Sequence, residues 1–267
     1  MRTLRYLVAI LIWGFLFLTG GLPYFYMLRW TRPEPYQEHL FLWFAQWNQL
    51  WLRIASAVAG LRVEYELRGE IPPGTPVICV SNHYGVIDAP LLITGALRLG
   101  IRRARGVSMQ EAREWPVVGT ILEEGRTAWM RRSRDPKDLS DLERFSAELH
   151  RDGDSAVIFP EGRVFEGEAD ASYTNVLRPK HRGLATMVHG APQHAIVVAT
   201  IIWHDYEAKK SRWLATIPPG DHCTVLAEVV QGLTAEQVPE WLFEQWHLMD
   251  QRIADHRDHK HTFPPRR

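Results

Sequence analysis

The sequence predicts an α/β domain carried behind an N-terminal membrane-embedded hairpin of two helices, and three observations predict it. Residues 6–28 form a run of 23 without a single charge. A second apolar stretch, rich in tryptophan, follows at about 36–59. After Gly60 the chain alternates short apolar runs with amphipathic stretches, the pattern of strands and helices taken in turn. The expected domains are therefore a membrane-associated hairpin at 1–59, an α/β domain at 60–255 and a flexible tail at 256–267.

The first helix is the plainest. At a rise of about 1.5 Å per residue the uncharged run reaches across a hydrocarbon core of about 30 Å. A secretory signal peptide is the competing reading, but the run is long for the apolar part of one, and Leu18-Thr19-Gly20-Gly21-Leu22-Pro23 is a poor cleavage site. Arg32-Pro33-Glu34-Pro35 then breaks the chain. The second stretch is apolar apart from a stripe of Gln46, Gln49, Arg53 and Ser56, and Trp43, Trp47 and Trp51 recur every fourth residue. An arginine is costly at a bilayer centre, whereas tryptophan is favoured at the interface. The two helices are thus expected to pack as a hairpin that embeds in or lies along one leaflet, with a second full span as the alternative.

In the soluble part, strands are expected at 61–67, 77–81, 103–107, 156–159, 196–203, 213–217 and 223–230. A helix opening at Asp135-Pro136 carries Leu139, Leu142, Phe145 and Leu149 on one face and stops at Gly153. The last helix opens with the capping spacing Thr234-Ala235-Glu236-Gln237 and runs through Trp241, Leu242, Trp246 and Ile253. The tail that follows, with His256, His259 and His261, reads as solvated rather than metal-binding.

Composition narrows the function. Lys+Arg and Asp+Glu balance at 31 each, so no global basic field recruits nucleic acid. The two cysteines, Cys79 and Cys223, lack metal-ligand spacing and sit in apolar runs, as buried thiols of a reducing compartment do. No Gly-x-Ser-x-Gly elbow is present for a serine hydrolase.

The chemistry-bearing stretch is Asn82-His83-Tyr84-Gly85-Val86-Ile87-Asp88, directly after the apolar run 77–80. His83 therefore stands where the chain leaves a sheet, the usual address of chemistry in α/β proteins. Asp88 precedes Ala89-Pro90 and an apolar run, the signature of a helix N-cap, and the intervening turn can fold its carboxylate back toward the imidazole. Such a pair fixes one tautomer and favours the imidazolium that forms when the ring takes a proton from a hydroxyl. Taken alone, the spacing is also met by a simpler arrangement, with Asp88 capping the helix and His83 filling a turn.

A second signal lies further on, where the run 156–159 ends in Pro160-Glu161-Gly162-Arg163. In this order the two signals resemble the PlsC-like glycerolipid acyltransferases, over about residues 60–250. Between them, Gly125-Arg126-Thr127-Ala128-Trp129-Met130-Arg131 resembles the family's second block, with Arg131 at its arginine position. Lys180-His181-Arg182-Gly183 resembles the basic segment that precedes a core helix in the lysophospholipid and lysocardiolipin branch. The chain also departs from the family. Arg163 stands where threonine is usual, one residue ahead of the family's arginine; the strand 196–199 lacks a proline; and Met109 replaces a lysine.

The resemblance implies a mixed sheet flanked by helices, of the glycerol-3-phosphate acyltransferase-like kind. It implies a membrane-bound O-acyltransferase that moves a fatty acyl group from acyl-CoA or acyl-carrier protein to a lysophospholipid, foremost lysophosphatidic acid to phosphatidic acid, with no cofactor and no metal. His83 is the expected general base and Asp88 its orienter, while Arg131, Glu161, Gly162 and Arg163 are the expected acceptor-binding residues. The expected location is a bacterial inner membrane with the catalytic domain on its cytoplasmic side. The alternatives are an acyltransferase or transacylase acting on another lysophospholipid, and a non-catalytic membrane scaffold of the same fold.

Overall fold

The computed structural model describes residues 1–131, 136–168, 172–206 and 217–258. Its strands are Arg62–Arg68 (β1), Val77–Ser81 (β2), Ala104–Met109 (β3), Ala128–Met130 (β4), Ser155–Ile158 (β5), Ala195–Trp203 (β6) and His222–Val230 (β7). Among the described residues they form one seven-stranded sheet in the order β1-β7-β6-β2-β5-β3-β4. Every neighbouring pair is parallel except β6 and β7, so β1 and β7 oppose the other five and the sheet is mixed, as expected. The C-terminal ends of β2, β5, β3, β4 and β6 consequently share one edge. Most of the strand expected at 213–217 and the helix start at 135 fall outside the described residues.

The helices are Arg2–Leu16 (α1), Leu22–Thr31 (α2), Tyr36–Ala59 (α3), Asp88–Arg98 (α4), Val118–Glu124 (α5), Pro136–Asp152 (α6), His181–Gly190 (α7) and Val238–Asp258 (α8). The sheet is covered on both faces, which is why β2 and β6 read as continuous apolar runs. On one face Ile78, Val80 and Ile196 pack with Leu142 and Phe145 of α6, Leu184 and Met187 of α7, and Leu242 and Trp246 of α8. On the other, Ile201, Trp203 and Val225 pack with Leu91 of α4, Tyr6 of α1 and Trp51, Leu52 and Ala55 of α3. The last helix runs to Asp258, so His256 and Arg257 belong to it, a correction to the tail expected from residue 256; residues 259–267 lie outside the described part.

α1 and α2 form one long helix joined through a π-turn at Phe17–Gly21. Pro23 has no N–H to give to a carbonyl one turn back, and a π-turn at this point absorbs the missing bond. Gly21 is needed there for a second reason: a Cβ would stand 2.7 Å from the Trp47 ring. α3 runs back along this helix. Trp13 Nε1 donates to the Trp47 carbonyl at 3.0 Å, and Phe17 and Phe25 meet Trp43. The hairpin lies along the domain and does not project from it, because both of its ends are tied down. At the base, Arg2 Nε donates to Asp221 at 2.7 Å and Tyr6 Oη at 3.0 Å. At the tip, Arg29 Nε and Tyr36 Oη each donate to Glu124 at 2.9 Å. Its outer face leaves Leu4, Leu11, Phe15, Leu18 and Trp30 exposed.

Candidate active site

The exit of β2 is held by Asn82, which is buried and continues the ladder with its side chain. Its Nδ2 donates to the Ile201 carbonyl at 2.9 Å and its Oδ1 accepts the Ile201 N–H at 2.8 Å. The chain then turns, and His83 Nδ1 lies 2.7 Å from Asp88 Oδ2. The same oxygen accepts the backbone N–H groups of Tyr84 at 2.6 Å and Gly85 at 2.9 Å. Asp88 has no side-chain exposure and His83 has 23 %. A carboxylate oxygen can only accept, so the proton of the imidazole sits on Nδ1 and Nε2 is left as its basic nitrogen. The N-cap expectation for Asp88 is corrected: Ile87 occupies the cap position without a side-chain cap, and Asp88 is the first helical residue, its carboxylate turned back into the preceding loop. The physical reason is that three donors of the loop converge on Oδ2, while Oδ1 is buried without a hydrogen-bond partner.

The chain leaving β5 wraps the same loop. The Phe159 ring stacks on the imidazole, with centroids 4.2 Å apart and planes 20° from parallel. Phe165 N–H donates to the His83 carbonyl at 2.7 Å. Glu161 is only 2 % exposed, and Trp246 Nε1 of α8 lies 3.4 Å from its Oε1. Burial pushes the Glu161 carboxyl well above its ordinary range, against the opposing pull of Trp246 and of the backbone N–H groups of Leu177 and His83. Gly162 follows with φ +70°, a left-handed turn for which glycine is suited, and its N–H donates to the Phe159 carbonyl at 3.0 Å.

His83, Asp88, Glu161 and Gly162 are thus brought together. Arg163 stands beside them but turns outward, its Nη2 donating to Glu168 at 2.5 Å. Arg131 is at the end of β4, three strands from β2, so roughly 14 Å across at the usual spacing of strands. Its Nη1 donates to Asp138 at 3.2 Å and Asp141 at 3.0 Å on α6, and this contact holds the Asp141 carboxyl below the usual carboxylate range. It lines a cavity of about 350 Å³ with Gln110, Arg126, Trp129 and Glu148, none of which belongs to the His83 loop. Among the described residues no three His, Cys, Asp or Glu side chains are arranged to hold a metal ion.

Several supporting residues escape a reading of the sequence. Tyr84 Oη donates to the Asn175 carbonyl at 2.9 Å, and Arg257 reaches from α8 to donate to Asn175 Oδ1 at 2.5 Å and to stack on Tyr206. These partners lie 91 and 82 residues apart in the chain, and no local pattern announces them. Asn82 alone carries a signal, a polar residue in the first position after a buried strand.

Known proteins resemble this chain in sequence and in fold. A stretch of 116 residues is 35 % identical to a lyso-ornithine lipid O-acyltransferase of Pseudomonas aeruginosa, covering 43 % of this chain and 42 % of that protein. A stretch of 135 residues is 28 % identical to the protein of the same name in Brucella abortus, covering 49 % and 47 %. The matches therefore span less than half the length of these curated relatives. In fold, the chain is similar to the 1-acyl-sn-glycerophosphate (LPA) acyltransferase PlsC of Thermotoga maritima, with a TM-score of 0.66 and 17 % identity over 96 % of this chain and 97 % of that one. The match to the Acyltransferase family runs over residues 62–203, from β1 to the end of β6, and encloses both the His83 loop and the Glu161 turn, so this chain belongs to that family.

Proposed function

We propose that the chain moves a fatty acyl group from a thioester, acyl-CoA or acyl-carrier protein, to the free hydroxyl of a lysolipid. The observation that carries this reading is the His83–Asp88 pair at 2.7 Å, with the aspartate buried and the imidazole partly exposed. Nε2 of His83 takes the proton of the acceptor hydroxyl as its oxygen attacks the thioester carbonyl carbon. The tetrahedral intermediate collapses with cleavage of the C–S bond, and the thiol leaves with the proton returned by the imidazolium. Asp88 orients the ring and offsets its transient positive charge, as in a triad whose alcohol is supplied by the substrate. Glu161 is assigned to positioning, its buried carboxyl set between the Trp246 indole and the chain that wraps the His83 loop. No cofactor is required beyond the acyl donor.

Lysophosphatidic acid, giving phosphatidic acid, is the acceptor that the family resemblance implies. A lyso-ornithine lipid is the second reading. It is favoured by the two relatives above that carry that name, and by Arg131 and Arg163, each of which is already held by a carboxylate. The hairpin, whose outer face is apolar and whose two ends rest on the domain, is assigned to one leaflet of the membrane, with the domain on the cytoplasmic side where thioester donors are made. The test is transfer by the purified protein in detergent to a panel of lysolipids from both acyl-CoA and acyl-carrier protein. Transfer to any lysolipid supports the reading, and a preference within the panel selects the acceptor. Failure with every acceptor and donor would overturn it.

A further inference from the structure

We infer that Lys180 supplies the cation that binds an oxyanion of the acceptor head group, an inference that rests on the acyl-transfer reading above. The segment from Phe159 to Phe165 wraps the base, and Gly162 lies in the middle of that wrap. Lys180 is laid across it. Its backbone N–H donates to the Pro160 carbonyl at 2.9 Å, and a Cβ on Gly162 would stand 2.8 Å from its Nζ and 3.6 Å from its Cε. The missing side chain at position 162 is therefore the space that the lysine stem and ammonium use.

Lys180 differs from the two arginines expected to bind an anion. Arg131 is held by Asp138 and Asp141, and Arg163 by Glu168. An anionic ligand would have to displace those carboxylates before binding either guanidinium. Lys180 is exposed, and among the described residues no ion pair engages it. An ammonium acts as a point charge without a fixed fork, so it suits a phosphate or a carboxylate equally. The shared chemistry is an oxyanion on the acceptor, whether the phosphate of a lysophospholipid or the carboxylate of an amino-acid lysolipid.

The test compares wild type with Lys180→Met and Lys180→Arg on three acceptors in detergent: lysophosphatidic acid, a lyso-ornithine lipid and an uncharged monoacylglycerol. The expected result for Lys180→Met is a roughly ten- to hundredfold fall in the preference for an oxyanion-bearing acceptor over the uncharged one, measured as the ratio of kcat/KM values. The fall should come through acceptor KM, with donor KM moved less, and Lys180→Arg should restore most of it. Whichever oxyanion-bearing acceptor loses more identifies the oxyanion. Gly162→Ala, whose Cβ would displace the ammonium, should show the same loss of preference. If Lys180→Met keeps the wild-type ratio, or loses as much on the neutral acceptor, this inference is overturned while the acyl-transfer reading stands. No transfer by wild type to any of the three overturns both.

Discussion

Asp88→Asn isolates charge from shape at the centre of the site. Asp88 Oδ2 accepts from His83 Nδ1, Tyr84 N and Gly85 N at 2.6 to 2.9 Å, and the side chain is wholly buried. An asparagine fits the same space, and its amide oxygen still accepts from this cluster, but the negative charge facing the imidazolium is gone. At an effective dielectric constant near 20, two unit charges about 4 Å apart attract by roughly 4 kcal/mol. The neutral hydrogen bond that remains returns about 1 kcal/mol of this. The difference of about 3 kcal/mol appears where the imidazolium appears, in the transition state, and corresponds to roughly a hundredfold loss of kcat/KM. The assay is steady-state transfer to a fixed lysolipid, with thermal unfolding followed by circular dichroism in parallel. His83→Ala gives the lower limit, a loss of roughly 10² to 10⁴. Activity of Asp88→Asn within about threefold of wild type would refute the assignment of Asp88 as the charged partner of the base. A fall in melting temperature that accounts for the whole loss would refute it equally, by making Asp88 a structural residue.

Glu161 carries a pH prediction. Burial raises its carboxyl in the folded chain above the ordinary value of 4.5, so its favourable contribution is complete below that value and is lost as pH rises through the folded one. Glu161→Gln, neutral at every pH, should flatten the decline of stability above the ordinary carboxylate range in denaturant titrations, and an unchanged slope would count against a neutral buried Glu161. Arg131→Ala should lower the melting temperature and change KM for donor and acceptor alike, because its guanidinium joins β4 to α6; a rise confined to acceptor KM would return Arg131 to the acceptor site. Leu11, Phe15 and Leu18 are 71 %, 67 % and 62 % exposed, so the triple change to glutamine should spare the fold while removing roughly 1.5–3 kcal/mol of membrane partitioning per side chain. Vesicle sedimentation reads this loss, and undiminished binding would place the membrane contact elsewhere. Deleting residues 1–59 should instead give aggregated protein, since Tyr6, Trp51 and Leu52 cover the same face of the sheet as Leu91 and Trp203.

What the sequence by itself determined are the features written over a few residues. The uncharged run at 6–28, the tryptophan row of α3 and the strand–helix alternation after Gly60 follow from periodicity, because burial acts on each element through its own repeat. The His83–Asp88 pair is legible for the same reason: both residues sit on one short loop whose ends are set by β2 and α4. Whether Asp88 would cap the helix or serve the histidine was not legible, since both arrangements use the same residues. The tertiary structure decided it through the backbone donors gathered at one oxygen. It also decided which cations are engaged, because the partners of Arg131 and Arg163 depend on where α6 and the chain after β5 come to lie. Asn82 with Ile201 is set by the pairing of β2 with β6, Glu161 with Trp246 by the packing of α8 on the sheet, and Gly162 with Lys180 by the return of the chain after β5, none of which a local pattern specifies. The course of the hairpin along the domain rests on two distant acids, Asp221 and Glu124, that tie its base and its tip, and no pattern within residues 1–59 specifies them.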